Sequence, residues 1–164
     1  MVTESDAQML AAQLGQALNG CGKVIATAES CTGGWIAQVI TSVPGSSVWF
    51  DRGFVTYSNT AKREMLGVEP KILSEFGAVS EQTAIAMALG ALNHSPAQLA
   101  VAVTGIAGPG GGTPEKPLGT VCIAWAEREG APVAITHRFD GDRAAVRRQS
   151  VVAALQGLLE RARS

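Results

Sequence analysis

Side chains able to do chemistry are concentrated at residues 27–34, T-A-E-S-C-T-G-G. A short apolar run at residues 24–26 precedes this stretch, and a helical pattern follows from Trp35 onward. This order predicts a corner between a strand and a helix that carries the hydroxyl of Ser30 beside free backbone N–H groups, where negative charge is stabilised. Ser30 is therefore a candidate nucleophile.

Other interpretations of this corner stay open on sequence alone. Ser30 and Thr32 could only cap the following helix. Cys31 competes for the role of nucleophile, because a thiol at a helix start has a lowered pKa, although a small buried cysteine is the commoner case. Gly33 and Gly34 would let a ligand or another backbone segment approach closely. The spacing differs from the hydrolase motif G-x-S-x-G, since no glycine precedes Ser30 by two positions.

A serine nucleophile needs a base, and Lys62 is a candidate for it. It lies near the first turn of a predicted helix, where the helix dipole and partial burial would both lower its pKa and favour the neutral amine. Tyr57, the only tyrosine, ends the preceding strand. Alternatively, Lys62 is a solvated surface lysine and Tyr57 a packing residue. His94 and His137 are not predicted to lie beside the polar corner.

A loop dense in glycine and proline occupies residues 105–119, directly after an apolar strand. Its backbone N–H groups could cradle a phosphate, and Thr104, Gly105 and Gly108 stand at its start. The loop matches neither of the common phosphate-binding glycine patterns, so glycine could instead only relieve backbone crowding.

Arg143 opens the last predicted helix and could bind a phosphate or carboxylate with two parallel hydrogen bonds. The alternative is a surface ion pair with Asp140 or Asp142. No cluster of His, Asp or Glu has the spacing of metal ligands, so we expect neither a metal nor a cofactor.

The hydrophobic pattern and the turn residues divide the chain into alternating helices and strands. We predict helices at residues 5–18, 35–40, 62–66, 71–76, 80–92 and 143–161. We predict strands at residues 23–28, 48–56, 99–103, 120–126 and 133–139. This order predicts one α/β domain over residues 1–164, a three-layer α/β/α sandwich with a mixed, mostly parallel sheet of about five strands ending in an antiparallel hairpin. Parallel strands would bring Ser30, residues 57–62 and the loop from Thr104 to one edge of the sheet.

The composition limits the classes of protein to which the chain could belong. Its 164 residues are 46% hydrophobic and 16% charged with a net charge of −1, which indicates a globular protein and gives no sign of nucleic acid or membrane binding. Three cysteines without C-x-x-C spacing make a disulfide framework or zinc site unexpected. No signal peptide or transmembrane run is visible, so we expect a soluble cytoplasmic protein.

Taken together, these segments resemble the CinA C-terminal domain family, the nicotinamide-nucleotide amidases. The resemblance runs over nearly the whole chain, and the combination of motifs is highly specific. The matching residues are A-E-S-C-T-G-G at 28–34, R-G-F-V-T-Y-S-N-T-A-K at 52–62, L-G-V at 66–68, G-A-V-S at 77–80, V-T-G-I-A-G-P-G-G-G-T-P-E-K-P-L-G-T-V at 103–121 and F-D-G-D-R at 139–143.

The resemblance implies hydrolysis of the carboxamide of nicotinamide mononucleotide to nicotinate mononucleotide and ammonia. It places the family's serine nucleophile on Ser30, its tyrosine on Tyr57 and its lysine on Lys62. The residues expected to contact substrate are Cys31, Thr32, Gly33, Gly34, Thr104, Gly105, Gly108 and Arg143. The family's habit and the apolar composition further suggest a homodimer.

The resulting hypothesis is that Ser30 attacks the amide carbonyl while Lys62 accepts its proton, directly or through the Tyr57 hydroxyl. Backbone N–H groups at residues 31–34, with Thr104 or Gly105, would hold the oxyanion. Two alternatives remain: a nucleotide-binding module without turnover, and a serine amidase acting on another small amide.

Overall fold

The computed structural model describes all 164 residues, and its six α-helices, one 3-10 helix and five strands are arranged around one sheet. The α-helices are α1 (Glu4–Leu18), α2 (Trp35–Thr41), α3 (Asn59–Leu66), α4 (Pro70–Phe76), α5 (Glu81–Asn93) and α6 (Arg143–Ala162), and a 3-10 helix spans Ser46–Val48. The strands are β1 (Ile25–Glu29), β2 (Phe50–Val55), β3 (Leu99–Gly105), β4 (Thr120–Glu127) and β5 (Val133–Arg138). Every helix is either too short or too polar to span a lipid bilayer.

The five strands form a single open sheet in the order β2-β1-β3-β4-β5. β1 pairs in parallel with β2 and with β3, whereas β4 is antiparallel to both β3 and β5. Glu29 at the end of β1 lies in register with Val55 on one side and Val103 on the other. The three loops that follow these parallel strands therefore leave the sheet at the same edge, where ligands bind in open α/β sheets.

The two faces of the sheet differ in the size of their side chains. The face toward α1, α2 and α6 carries large apolar residues, among them Ile25, Ile123 and Trp125. The opposite face is built largely from alanine, including Ala28 and Ala102, and packs against α5, which is itself rich in alanine. Because the side chains of this face and of α5 are small, the helix packs close to the sheet. The layer between α5 and the sheet is therefore thinner than the layer on the opposite face.

The predicted fold class is confirmed: the structure is a three-layer α/β/α sandwich around a mixed sheet that ends in an antiparallel hairpin. Several predicted boundaries differ from the observed ones by one to three residues, and the start of β2 differs for a clear physical reason. The strand expected from Val48 begins at Phe50, because residues 46–48 form a tight turn that leaves Val48 exposed and buries Trp49 in the core. The cap expected before the third helix is present, since the Ser58 hydroxyl accepts a hydrogen bond from the Ala61 amide.

A substitution at Gly157 tests how closely α6 must pack against the sheet. A Cβ atom at this position would overlap the indole ring of Trp125 on β4. We therefore expect Gly157→Ala to lower the free energy of unfolding by about 1–3 kcal/mol, although alanine is the better helix former. Gln156→Ala, at the exposed neighbouring position, should change it by less than about 0.5 kcal/mol. Urea unfolding of both variants measures this, and equal stability would contradict the packing argument.

Candidate active site

The three loops at the carboxyl edge of the parallel strands enclose a small cavity of about 230 Å³. Ser30 follows β1, Tyr57 follows β2, and Thr104 and Gly105 end β3. The cavity is lined by Ser30, Cys31, Tyr57, Asn59, Lys62, Ala78, Val79, Thr104, Gly105, Ala107 and Arg143. The structure thus brings together the predicted nucleophile, tyrosine, lysine and arginine, whose positions span more than a hundred residues of sequence.

Lys62 lies under this cavity with only 1% of its surface exposed, so it is not a solvated surface lysine. Its Nζ atom is 2.9 Å from the Ser30 Oγ atom, 2.9 Å from the Thr56 carbonyl oxygen and 3.3 Å from that of Tyr57. No carboxylate forms an ion pair with it. Burial lowers the pKa of Lys62 below its ordinary value, because the ammonium form loses hydration without gaining a counter-charge.

The three neighbours of the Lys62 nitrogen can all accept hydrogen bonds from its ammonium form, and they can also accommodate the neutral amine. A neutral amine has two N–H groups and one lone pair, and the carbonyl oxygens of Thr56 and Tyr57 can only accept hydrogen bonds. When both N–H groups of the neutral amine are donated to these carbonyls, its lone pair is left for the Ser30 hydroxyl, which can then donate a hydrogen bond to the nitrogen. The arrangement therefore suits removal of the serine proton.

Tyr57 contributes to the centre of the site through its backbone and not through its phenol. The Tyr57 carbonyl oxygen lies 3.4 Å from Ser30 Oγ, while the side chain is 63% exposed at the mouth of the cavity. Its hydroxyl accepts a hydrogen bond from Arg143 Nη2 at 3.3 Å. Of the two routes considered for the proton, the geometry offers the direct one between Ser30 and Lys62, since no phenol bridges them.

Glu29, which the sequence analysis did not single out, fixes the backbone beside Ser30. It is fully buried, and its carboxylate accepts hydrogen bonds from the amides of Ile36 and Ala37 at 2.9 and 3.0 Å and from the Thr32 hydroxyl at 2.6 Å. The start of α2 is therefore capped by Glu29 and not by Ser30 or Thr32 themselves. An acidic residue just before a helix was the signal that could have revealed it.

Cys31 lines the cavity but lacks the activation that a thiol at a helix start suggested. It is buried, and burial raises the pKa of its thiol to about 11, so the thiol is neutral at neutral pH. No hydrogen bond joins its sulfur atom to Lys62 or to either histidine. His94 is exposed, and His137 on β5 stacks on Phe139, which follows that strand, at a centroid distance of 4.8 Å and outside the cavity.

Arg143 makes neither of the ion pairs considered for it. Its Nη1 atom donates to the Gly108 carbonyl oxygen at 2.9 Å, and Asp142 instead caps α6 by accepting from the Ala145 amide. A second cavity of about 520 Å³ lies next to the smaller one. Arg143 and Ala107 line both cavities. The residues around the larger cavity are Ala107, Gly108, Pro109, Leu118, Gly141, Asp142, Arg143, Ala144 and Arg147.

The remaining predicted contact residues occupy supporting positions. Thr32, Gly33 and Gly34 do not line the smaller cavity; both glycines have positive φ angles, of 60° and 100°, which the sharp turn into α2 requires. The Thr104 hydroxyl donates to the Ala78 carbonyl oxygen at 2.8 Å and so fixes the cavity wall. Glycine is needed at Gly105 because a Cβ atom there would clash with Val121 on β4.

Arg147 is a second residue that sequence reasoning missed. It lies one helical turn after Arg143 on α6, and its guanidinium binds the carbonyl oxygens of Cys31 and Thr32 at 3.0 and 3.1 Å. The same group lies over the ring of Trp35, 5.2 Å from its centroid. The cluster of arginines near the C-terminus was the available signal, but nothing local distinguished this one.

Comparison with known proteins identifies the relatives of this chain. The family model described as the CinA C-terminal domain matches residues 7–162. The chain is 53% identical over 157 residues to the nicotinamide-nucleotide amidohydrolase PncC of Escherichia coli K12, covering 96% of this chain and 95% of the relative. The protein of the same name from Pseudomonas putida is 54% identical over 152 residues, covering 92% and 94%. The crystal structure of the competence/damage inducible protein CihA from Agrobacterium tumefaciens superposes with a TM-score of 0.93 at 48% identity, covering 98% of each chain.

The burial of Lys62 predicts a pH dependence of stability. Between its lowered pKa and the ordinary value of 10.5, the unfolded chain binds more protons than the folded one, so stability rises with pH in that window. Relative to Lys62→Met, the wild type should therefore gain stability as the pH rises toward 10.5 and show a constant difference below the lowered pKa. Urea unfolding from about pH 6 to about pH 10 measures this.

The matched control for this prediction is Lys71→Met, because Lys71 is exposed and pairs only with Glu75 on the protein surface. The difference in free energy of unfolding between Lys71→Met and the wild type should stay constant over this pH range, whereas that between Lys62→Met and the wild type should change. A pH-independent difference for Lys62→Met would show that the folded and unfolded states bind the same number of protons at this residue.

Proposed function

The chain belongs to the CinA C-terminal domain family, whose close relatives here are nicotinamide-nucleotide amidohydrolases, and from this premise we propose that it deamidates nicotinamide mononucleotide through Ser30 and Lys62. The products are nicotinate mononucleotide and ammonia. One observation carries the mechanism: a buried amine without a counter-ion lies 2.9 Å from a serine hydroxyl at the carboxyl edge of the sheet.

In the first step Ser30 Oγ attacks the carboxamide carbon while its proton passes to the Lys62 nitrogen. The carbonyl oxygens of Thr56 and Tyr57 hold the lysine in place through this transfer, since they accept its N–H groups before and after it. The ammonium that forms is buried, and burial makes it a stronger acid than a solvated lysine because it lowers the pKa. It returns its proton to the departing nitrogen, which leaves as ammonia.

The negative charge on the carbonyl oxygen needs donors, and the turn at residues 30–33 supplies them. The amides of Ile36 and Ala37 are occupied by Glu29, and the amide of Gly33 donates to the Ser30 carbonyl oxygen at 3.0 Å. The Cys31 amide has no carbonyl acceptor in the protein, and Cys31 lines the cavity, so its N–H group is the donor proposed for the oxyanion. An oxyanion donor of this kind contributes about 3 kcal/mol to a transition state.

Hydrolysis of the resulting acyl-enzyme completes the cycle. The neutral Lys62 amine is regenerated when ammonia leaves with the serine proton. Lys62 accepts a proton from a water molecule that attacks the acyl carbon, and it returns this proton to Ser30 Oγ as the bond between the acyl carbon and that oxygen breaks and the acid leaves.

The larger cavity suits the ribose phosphate because it opens from the smaller one and carries free donors. Arg143 uses one hydrogen bond to Gly108 and one to the Tyr57 hydroxyl, leaving other N–H groups of its guanidinium for an anion. The Ala107 and Gly108 amides, both in buried residues, make no hydrogen bond within the protein. Tyr57 positions Arg143 over the junction of the two cavities.

Replacement of the two candidate nucleophiles tests the assignment. Ser30→Ala should lower kcat by at least about 10³-fold, because no other hydroxyl contacts Lys62. Cys31→Ala should retain activity within about tenfold, since its thiol is neutral and not in contact with the base. Ammonia release from nicotinamide mononucleotide measures kcat, and calorimetric titration shows whether Ser30→Ala still binds it.

Three outcomes separate the alternatives. Activity lost with Cys31→Ala and kept with Ser30→Ala would move the nucleophile to the thiol. Binding of the nucleotide by the wild type without ammonia release would indicate a binding module. Ammonia released from another small amide, but not from the nucleotide, would keep the serine mechanism and change the substrate.

Replacement of Arg143 tests whether the substrate phosphate binds in the larger cavity. Arg143→Met should raise KM for nicotinamide mononucleotide by about 10–100-fold, the effect of losing a charge-assisted hydrogen bond to the phosphate. The same variant should not change KM for nicotinamide riboside, which lacks the phosphate. Arg163→Met, at the exposed far end of α6, is the matched control and should behave as the wild type. An equal loss with both substrates would contradict the assignment.

A further inference from the structure

The first turn of α3 faces the proposed reaction centre with two residues, Asn59 and Lys62, which both line the smaller cavity. They are three positions apart on the helix, so their side chains lie on the same face. A helical side chain points back toward the start of its helix, and the Lys62 nitrogen accordingly reaches the carbonyl oxygens of Thr56 and Tyr57, which precede α3. Asn59 therefore lies beside the end of Lys62 that contacts Ser30.

The structure of α3 does not account for an asparagine at position 59. Asparagine stabilises a helix chiefly as its cap, but the cap of α3 is Ser58, whose hydroxyl accepts a hydrogen bond from the Ala61 amide. Within a helix asparagine is a weaker helix former than most residues. The side chain of Asn59 is exposed and forms no hydrogen bond within the protein. Its amide group is therefore free to bind a ligand.

Acceptors for a substrate N–H group are scarce in the smaller cavity. No carboxylate lines it, and the carbonyl oxygens of Thr56 and Tyr57 already accept hydrogen bonds from Lys62. Asn59 is the one lining residue with a side-chain amide, which provides an uncharged acceptor, Oδ1. A primary carboxamide has two N–H groups, and these lose hydrogen bonds to water when the substrate enters the cavity. Asn59 can replace one of these bonds.

We propose that Asn59 is a specificity-determining residue for amides: its Oδ1 atom accepts a hydrogen bond from the leaving nitrogen of the carboxamide. The inference rests on the proposed function, because a leaving nitrogen exists only if Ser30 attacks an amide. With this N–H group held, the lone pair that forms on nitrogen in the tetrahedral intermediate faces Lys62, which delivers the proton taken from Ser30. The C–N bond then breaks, its electron pair stays on nitrogen, and ammonia leaves.

Aspartate cannot replace asparagine in this role at neutral pH. Its carboxylate would accept the same hydrogen bond, but it would also stand three residues before Lys62, at the spacing of an ion pair on a helix. The negative charge would favour the ammonium form of Lys62 and so remove the base. An asparagine supplies the acceptor without the charge.

A hydrogen bond to a ribose hydroxyl is the competing role, because the Asn59 side chain is exposed. The two roles differ in the substrates that they affect. The methyl ester of nicotinate mononucleotide has the same ribose and phosphate as the amide, but its leaving oxygen carries no hydrogen to donate. A residue that binds the leaving nitrogen therefore favours the amide alone, whereas a residue that binds the ribose favours both substrates equally.

The experiment compares Asn59→Leu and Thr60→Ala with the wild type on nicotinamide mononucleotide and on this methyl ester. Both substrates give nicotinate mononucleotide, so one chromatographic assay measures kcat/KM for each. We expect Asn59→Leu to lose about tenfold in kcat/KM with the amide and to stay within about twofold with the ester. Thr60 is the matched control, since it is the next residue of α3, is exposed and does not line the cavity. Thr60→Ala should stay within about twofold with both substrates.

Asn59→Asp tests whether residue 59 lies beside the base. The acidic limb of the pH profile of kcat/KM, where Lys62 loses its proton, should move to higher pH than in the wild type, because the new carboxylate raises the pKa of Lys62. At a pH above both limbs this variant should recover the preference for the amide over the ester that Asn59→Leu loses. Thermal melting identifies any unfolded variant, and Asn59→Ala takes the place of Asn59→Leu in that case.

Several results would overturn the inference. Equal losses with the amide and the ester would assign Asn59 to the ribose, and wild-type kcat/KM with both would leave it no role. An acidic limb that does not move in Asn59→Asp would show that residue 59 is not beside Lys62. If the wild type releases no ammonia from the nucleotide, the proposed function fails, and the same comparison with nicotinamide and methyl nicotinate judges Asn59. A wild type that hydrolyses none of the four compounds would overturn both proposals.

Discussion

The site depends on one interaction: a lysine amine buried without a counter-charge against a serine hydroxyl. Burying an ammonium is costly unless an anion accompanies it, and here the neighbours of Lys62 are two carbonyl oxygens and Ser30 Oγ. The amine is therefore held toward its neutral form, in which it can accept a proton. A carboxylate in the same place would fix the ammonium and remove the base. The proposed chemistry requires that Lys62 have no such ion pair.

The corner carrying Ser30 is held from two sides by charged groups of opposite sign. Glu29 binds amides at the start of α2 from the interior, and Arg147 binds carbonyl oxygens of the preceding turn from α6. The negatively charged Glu29 binds N–H groups, and the positively charged Arg147 binds carbonyl oxygens. The Cys31 amide, next to Ser30 in a residue that lines the cavity, has no carbonyl acceptor in the protein. Glu29 and Arg147 thus hold the backbone around Ser30 from opposite sides.

The asymmetry of the sandwich serves this arrangement. The alanine face lets α5 pack closely on the sheet, and its N-terminal cap at Ser80 closes residues 77–80 over the cavity, where Thr104 holds the Ala78 carbonyl oxygen. The opposite face is thicker, and α6 crosses it with its first two turns at the carboxyl edge. This placement delivers Arg143 to the glycine-rich loop and Arg147 to the corner at Ser30. The cavity therefore has one wall from each layer.

The sequence by itself determined the order of helices and strands, the fold class and the corner at Ser30, because alternating hydrophobicity, caps and turn residues act over a few positions. It also marked Lys62 as a candidate base, but could not separate it from a surface lysine. Only the tertiary structure decided that the Lys62 nitrogen meets Ser30 across 32 residues, and that Arg147 meets Cys31 across 116. Such contacts follow from strand order and register, which local propensity does not encode. For the same reason Tyr57 acts at the centre through its carbonyl oxygen, a position that no side-chain pattern can reveal.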